Sequence, residues 1–227
     1  MKGSCLYLIT ARGGSKGLPK KNILSLNGLP IIIYSLNTAR MMSEDRNICV
    51  STDAQEIIDV LEQYEYKVPF VRPSSLATDT SSSEQVILHC IEFYKHLGIE
   101  YDYIVLLQPT SPLRTSLHVS ESLKLVDENT EMIMSVKETD SNPYYVLFEE
   151  DENGILQKSK TSTVTRRQDL PKVYEANGAI YIINVKKFME KGMSQLNKKK
   201  FVMNKLSSID IDDEIDFKLC EFILQSK

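Results

Sequence analysis

Twelve consecutive residues, Ala11-Arg12-Gly13-Gly14-Ser15-Lys16-Gly17-Leu18-Pro19-Lys20-Lys21-Asn22, combine three glycines with four cations, Arg12, Lys16, Lys20 and Lys21. Glycines let successive backbone N–H groups curve around an anion. Guanidinium and ammonium groups add charge and donors, so the stretch suits a polyphosphate. The competing reading is a flexible surface turn with solvated lysines; a basic glycine turn placed directly after a first strand favours the phosphate. Three familiar motifs do not account for it. A Walker A loop fails at Leu18 and Pro19, and G-x-G-x-x-G fails because position 15 is Ser. The elbow G-x-S-x-G matches at Gly13, Ser15 and Gly17, but a serine hydrolase needs a late His base. The histidines are His89, His96 and His118, and none follows residue 118.

Near the other end, Ser208-Ile209-Asp210-Ile211-Asp212 alternates strictly. In a strand this puts Ile209 and Ile211 toward the core and Asp210 and Asp212 together on the opposite face. Two carboxylates at that spacing can take Mg²⁺, which binds one or two carboxylates plus phosphate oxygens and water. Helix-start chemistry is the alternative: Asp212 or Asp213 as the N-cap, with Glu214 and Asp216 complementing the dipole. Three middle segments carry further candidates. Gln108, in Gln108-Pro109-Thr110-Ser111-Pro112-Leu113-Arg114, offers a donor and an acceptor to a sugar or base edge. The hydroxyl-rich loop from Arg72 to Ser83 suits a nucleotide or caps the next helix. The paired Arg166 and Arg167 suit a carboxylate or phosphate, or form a solvated basic loop, as the run Lys198-Lys199-Lys200 does.

The elements that must position these groups follow from periodicity. Residues 6–9 read as a buried strand feeding the glycine turn. Pro30 opens a helix, residues 47–51 form a strand, and Asp53 caps a helix carrying Ile57, Ile58 and Leu61. Residues 68–71 read as a strand, 83–96 as a helix, 103–107 as a strand buried on both faces, and 117–126 as a continuation of the alternation. Short strands then follow at 132–136, 145–148 and 178–185, with a turn at Asn153-Gly154. Residues 161–172 resemble an exposed loop. A strand at 208–212 and a helix at 214–225 close the chain. This order predicts an α/β, doubly wound, mostly parallel sheet. The whole of 1–227 reads as one domain, with residues 137–175 as a protruding β-rich flap.

Composition narrows the classes. The chain has 227 residues, 42% of them apolar and 26% charged, with a net charge of −4. A chain of this length buries a sufficient core without staples. No apolar run approaches the roughly 20 residues of a membrane span. Residues 1–10 hold too short an apolar stretch for a signal peptide and read as a strand. The mild acidity argues against a nucleic-acid or membrane partner. Cys5, Cys49, Cys90 and Cys220 lie far apart without C-x-x-C spacing, which fits reduced thiols in a cytoplasmic protein.

Taken in order, these segments resemble the cytidylyltransferases that activate sialic and related nonulosonic acids, over nearly the whole chain. Residues 11–22 look like the nucleotide loop of that family and residues 106–114 like its sugar-side loop. Asn177-Gly178-Ala179-Ile180-Tyr181 and residues 208–212 match two further segments. The resemblance implies a nucleotide-diphospho-sugar transferase-like fold and transfer of CMP from CTP to a nonulosonic acid, releasing pyrophosphate. It places Ala11, Arg12, Gly13, Ser15, Lys21, Asn22, Arg72, Ser81 and Ser83 at the nucleotide. Gln108, Arg166, Arg167, Asn177 and Tyr181 fall at the sugar, and Asp210 and Asp212 at Mg²⁺. Arg12, Lys21, Arg166 and Asp212 are the groups it implies for catalysis, the arginines often crossing a homodimer through the flap. A metal-bound hydroxide and Asp212 are both open as the acceptor of the sugar hydroxyl proton. Two positions depart from bacterial N-acetylneuraminate enzymes. Pro143 is followed by Tyr144 and Tyr145 where a Lys often sits two residues on, and Glu175 stands where an Arg can precede the Asn-Gly pair. Both remove cations near the sugar and bring a di-N-acetylated acid such as legionaminate into consideration. The ketodeoxyoctonate enzymes rank lower, because Lys21-Asn22-Ile23 stands where they carry Lys-Pro-Leu. A serine hydrolase at Ser15 and a non-catalytic nucleotide sensor are the readings from other classes.

Overall fold

The computed structural model describes residues 3–14, 17–164 and 166–226, with the backbone alone at Arg167. Ser15 and the Arg167 side chain, both named above as ligand contacts, lie outside that description. Ten strands and six α-helices follow in chain order: β1 (Cys5–Thr10), β2 (Ser25–Leu26), β3 (Leu29–Pro30), α1 (Ile31–Arg40), β4 (Ile48–Ser51), α2 (Gln55–Gln63), α3 (Ser83–His96), β5 (Tyr103–Leu107), α4 (Ser116–Leu123), β6 (Met132–Glu138), β7 (Phe148–Glu150), β8 (Leu156–Lys158), β9 (Tyr174–Asn184), α5 (Val185–Lys191), β10 (Lys198–Val202) and α6 (Glu214–Gln225). Six strands make the central sheet in the order β10-β6-β9-β5-β1-β4. β9 runs antiparallel to both neighbours and the other pairs are parallel.

Period-2 alternation sorts β1 between two cores. Tyr7 and Ile9 join Ile32 and Leu36 of α1 and Ile57 and Leu61 of α2. Leu6 and Leu8 join Ile87, Cys90 and Tyr94 of α3 and Phe188 of α5. Helices therefore cover both faces, and all five residues of β5 are buried as a doubly covered strand requires. A third cluster packs α6 through Cys220 against Leu26, Ile31, Leu113 and Ile211.

Four local expectations are corrected. Residues 68–71 form no strand: Pro69 removes a ladder donor, and the next backbone hydrogen bond runs from Arg72 N to Thr52 O, just past β4, at 2.7 Å. Residues 145–147 are wound by Asn142, whose carbonyl accepts from the N–H groups of Tyr145 and Val146, so the flap strand starts at Phe148. Residues 208–212 form no strand: Ser208 ends a 3-10 turn, the chain extends only from Ile209, and Ile211 N donates to Thr110 O at 2.8 Å. Asp53 does not cap α2, whose N-cap is Ala54; its carboxylate accepts the Gly13 N–H at 3.1 Å. The four cysteines are free thiols, as the sequence implied, and Cys49 and Cys90 meet at 4.0 Å. No helix among the described residues is long and apolar enough to cross a membrane.

Candidate active site

In open α/β sheets ligands sit outside the carboxyl ends of the parallel strands. Here that edge gathers the segments after β1, β4, β5, β6 and β10, plus the start of antiparallel β9. Three adjoining cavities run along it. One of about 300 Å³ is lined by Thr10, Arg12, Arg72, Ser81, Ser82 and Ser83 among others. The next, about 400 Å³, shares Thr10 and Arg12 and adds Gly17, Lys21, Asn22, Gln108, Thr110 and Asp212. The third, about 590 Å³, shares Asp212 and adds Asp210, Asn177, Glu175, Lys137 and Lys205. Arg72, Ser81, Ser83, Arg12, Lys21, Asn22, Gln108, Asp212, Asp210 and Asn177, from the expected set, thus line the three cavities in turn.

The cationic loop is held by acids and carbonyls. Arg12 Nη1 donates to Asp79 Oδ1 at 2.8 Å and to Thr78 O at 3.2 Å. Asn22 donates to Arg12 O at 3.0 Å, and Ala11 N to Ser51 O at 3.0 Å. Lys21 Nζ donates to Ile211 O at 2.6 Å and Asp212 Oδ1 at 3.2 Å, joining the loop to the aspartates. Gly17 lies against the same segment: a Cβ there would stand 2.5 Å from Asp212 O. Arg72 is buried, donating to the carbonyl and the hydroxyl of Ser51. Burial pulls its pKa below the usual guanidinium value, while the nearby Asp53 opposes that shift. Ser81 accepts from Thr78 N, and Ser82 is the N-cap of α3 through a capping box with Gln85, the helix-capping role read for this hydroxyl-rich run.

The cavity of about 590 Å³ is shaped by an irregularity in β9. Met134 pairs with Tyr181 and Val136 with Ala176, so four residues, 177–180, oppose Ser135 alone. Ser135 fills the gap, donating to Asn177 Oδ1 at 2.6 Å and accepting from Ile180 N at 2.7 Å. Asn177 is buried, and its Nδ2 donates to Ser208 Oγ at 2.8 Å, so its amide braces the cavity wall. Gly178 adopts φ +71°, and a Cβ there would stand 2.8 Å from Gln108 Oε1 and 3.4 Å from Asp210 Oδ2. The missing side chain lets amide and carboxylate converge. Tyr181 packs on the core beside Leu106 and Met134, and burial followed by the Asp210 charge raises its pKa. Arg166 is exposed on the flap and, like Tyr181, lines none of the three cavities. Lys137, which sequence reasoning missed, pairs with Glu175 at 3.1 Å and supplies a cation to the wall where the sequence showed an acid. Cross-strand register, Lys137 against Glu175, produces the pair.

Asp210 bears on a metal. Its Oδ1 is buried and has no hydrogen-bond partner among the described residues. Burial raises its pKa, a Thr110 hydrogen bond opposes that, and the Asp212 charge adds to the rise. An orphaned carboxylate oxygen beside a second, exposed carboxylate is an all-oxygen donor set fitting a hard divalent cation. No group of three or more His, Cys, Asp or Glu side chains able to hold a metal forms among the described residues, so bound substrate oxygens and water would complete the coordination. Asp213, with Asp216 in a capping box, takes the helix-start role.

A doubly wound sheet carrying this cleft is that of a phosphate-handling α/β enzyme. The chain belongs to the cytidylyltransferase family, whose model matches residues 6–222, and it is a nucleotidyltransferase. It is 33% identical over 229 residues to the "Post-translational flagellin modification protein B" of Campylobacter coli, covering 98% of this chain and 95% of the relative. It is 31% identical over 222 residues to a "CMP-N,N'-diacetyllegionaminic acid synthase" of Legionella pneumophila, covering 97% of this chain and 96% of the relative. The fold matches the solved structure of a CMP:2-keto-3-deoxy-manno-octonic acid synthetase complexed with CTP, with a TM-score of 0.69 at 15% identity, covering 98% of this chain and 99% of the other.

Proposed function

We propose that this enzyme transfers CMP from CTP to the anomeric hydroxyl of a nonulosonic acid with the help of Mg²⁺. The observation that carries the reading is the continuity of the three cavities through Arg12 and Asp212. The sugar oxygen forms a bond to the α-phosphorus as the bond to the bridging oxygen of pyrophosphate breaks, and the hydroxyl proton passes to a neighbouring base, for which the Asp212 carboxylate is a candidate. Arg12 and Lys21 would exchange Asp79 and Asp212 for phosphate oxygens, offsetting the leaving group's charge. Arg72 and the N-terminus of α3 bound the nucleotide end. Asp210 and Asp212 would hold the cation, which when bound neutralises phosphate charge.

Lys137 beside Glu175 supports a legionaminate-type acid, the cation meeting the sugar carboxylate and the acid meeting an exocyclic N–H or hydroxyl. The free thiols fit a cytoplasmic setting, where CTP is at hand. A homodimer, in which the flap carries Arg166 and Arg167 to the partner's cleft, would give these arginines their place.

The experiment mixes enzyme, Mg²⁺ and CTP with a panel of nonulosonic and ketodeoxyoctonic acids and measures pyrophosphate. Release with a di-N-acetylated nonulosonic acid above all others is expected; no release with any acid refutes the reading. Asp212→Asn is expected to reduce turnover by at least ~10²-fold at physiological Mg²⁺ with circular dichroism unchanged.

A further inference from the structure

Arg114 is a buried cation with no carboxylate among its hydrogen-bond partners. It is 3% exposed. Nη1 donates to Gln108 O at 3.0 Å and Ala179 O at 2.8 Å, and Nη2 to Ser35 Oγ at 2.5 Å. Nε has no partner among the described residues, and burial alone pulls the pKa down, to about 9. Burying a charge without a counter-ion is costly, so stability by itself does not favour this residue. Its acceptors indicate another use. Gln108 and Ala179 begin the two walls that meet at Gly178, where the Gln108 side chain and Asp210 converge. Two residues beyond Gln108, the carbonyl of Thr110 holds Ile211 N at 2.8 Å, between Asp210 and Asp212. Ser35 of α1 also donates to Gln108 O at 3.2 Å, tying the clamp to a core helix. Arg12 and Arg72, in contrast, are tied to the 78–79 turn and to β4.

We infer that Arg114 is a positioning residue for the acceptor half of the cleft. Its Nη1 bridges the Gln108 and Ala179 carbonyls while Nη2 is fixed on Ser35 of α1, and the guanidinium so sets the spacing of the Gln108 side chain, Gly178 and the Asp210–Asp212 segment. The inference rests on the proposed transfer reaction. Lysine preserves the charge but not the planar fork that holds both carbonyls through one nitrogen and Ser35 through the other, so charge and geometry separate experimentally.

The test compares Arg114→Lys, Arg114→Met and Ser35→Ala with wild type. The measurements are kcat and KM for the acceptor, CTP affinity by calorimetry, and hydrogen exchange. For Arg114→Lys and Arg114→Met we expect acceptor kcat/KM to fall on the order of 10²-fold, the cost of a small misplacement, with CTP affinity changed less than about threefold. Exchange should rise in residues 106–114, 176–180 and 209–213 and stay unchanged in β1 and β4. A folded Arg114→Lys enzyme within about threefold of wild type overturns the inference, as does an equal loss of CTP affinity. If either substitution prevents folding, Ser35→Ala decides: about a tenfold loss confined to the acceptor is expected, and no loss overturns the clamp. Wild-type turnover is measured first. Its absence refutes the transfer reaction itself, whereas unaltered exchange in the variants refutes the clamp alone.

Discussion

At Asp210, holding a cation and stabilising the fold make opposite demands. A buried carboxylate oxygen without a partner costs about 1–3 kcal/mol, and a divalent cation removes that cost while a proton removes it otherwise. Asp210→Asn should therefore raise the melting temperature of the metal-free protein at pH 7 by a few degrees, about 1 kcal/mol, while abolishing turnover. The pH dependence fixes the cause. The folded-state pKa lies above the unfolded value, so this group's contribution to stability is present below the unfolded value and is lost as pH rises through the raised one. The gap between Asn and wild type, read by thermal unfolding in EDTA, should narrow as pH falls toward 4. A variant no more stable than wild type at pH 7 contradicts the orphaned oxygen. The alternating aspartates were legible because their spacing encodes a shared face. Arg114 and Lys137 were not, since their partners lie on other strands and only register and burial bring them together.

Among the elements, α3 shows how a helix cap comes to line a cavity. Ser82 accepts from Gln85 N at 3.2 Å, and Gln85 Oε1 accepts from Ser82 N at 3.0 Å. The turn so fixed presents Ser81, Ser82 and Ser83 to the cavity shared with Arg12 and Arg72. Ser82→Ala should cost about 1 kcal/mol of stability and raise KM for CTP several-fold with acceptor KM unchanged. Steady-state kinetics with each substrate varied in turn would check this; a rise confined to the acceptor would detach α3 from the nucleotide. The helix itself was legible, because its apolar stripe runs from Val86 to Tyr94 and its ends agree with the structure. The 208–212 segment was misread as a strand because an extended chain with one face buried has the same alternation whether or not a neighbour completes the ladder. The irregularity in β9 left no local mark beyond Gly178, since Ser135, the side chain that fills it, is far away in sequence.

At the scale of the whole molecule, the alternation of elements conveyed the sheet, whereas strand order and the reversed direction of β9 depend on long-range pairing. The flap is where independence can be tested. Among the described residues, none from 138 to 178 belongs to a core cluster, while apolar Tyr145, Val146, Leu147, Phe148, Ile155 and Leu156 are exposed there. Its two ends are cross-strand neighbours: Glu138 pairs with Tyr174, and Thr139 N donates to Val173 O at 3.1 Å. A two-residue Asn-Gly turn can bridge such a pair, so residues 140–172 can be replaced without stretching the sheet. The shortened chain should unfold cooperatively, with a melting temperature within a few degrees of wild type, because the lost contacts are mainly exposed ion pairs such as Lys172–Glu138 and Lys205–Asp140. CTP binding should persist, since the cavity lined by Arg12, Arg72 and Ser83 takes no residue from the flap. Turnover should fall sharply with the loss of Arg166 and Arg167, and, if the proposed homodimer forms through the flap, sedimentation should show a dimer for the full chain and a monomer for the shortened one. Wild-type turnover in the shortened chain would remove the flap arginines from the reaction. A dimer that survives the excision would move the subunit interface elsewhere, for which the exposed Ile215, Leu219 and Phe222 on one side of α6 are the next surface to substitute.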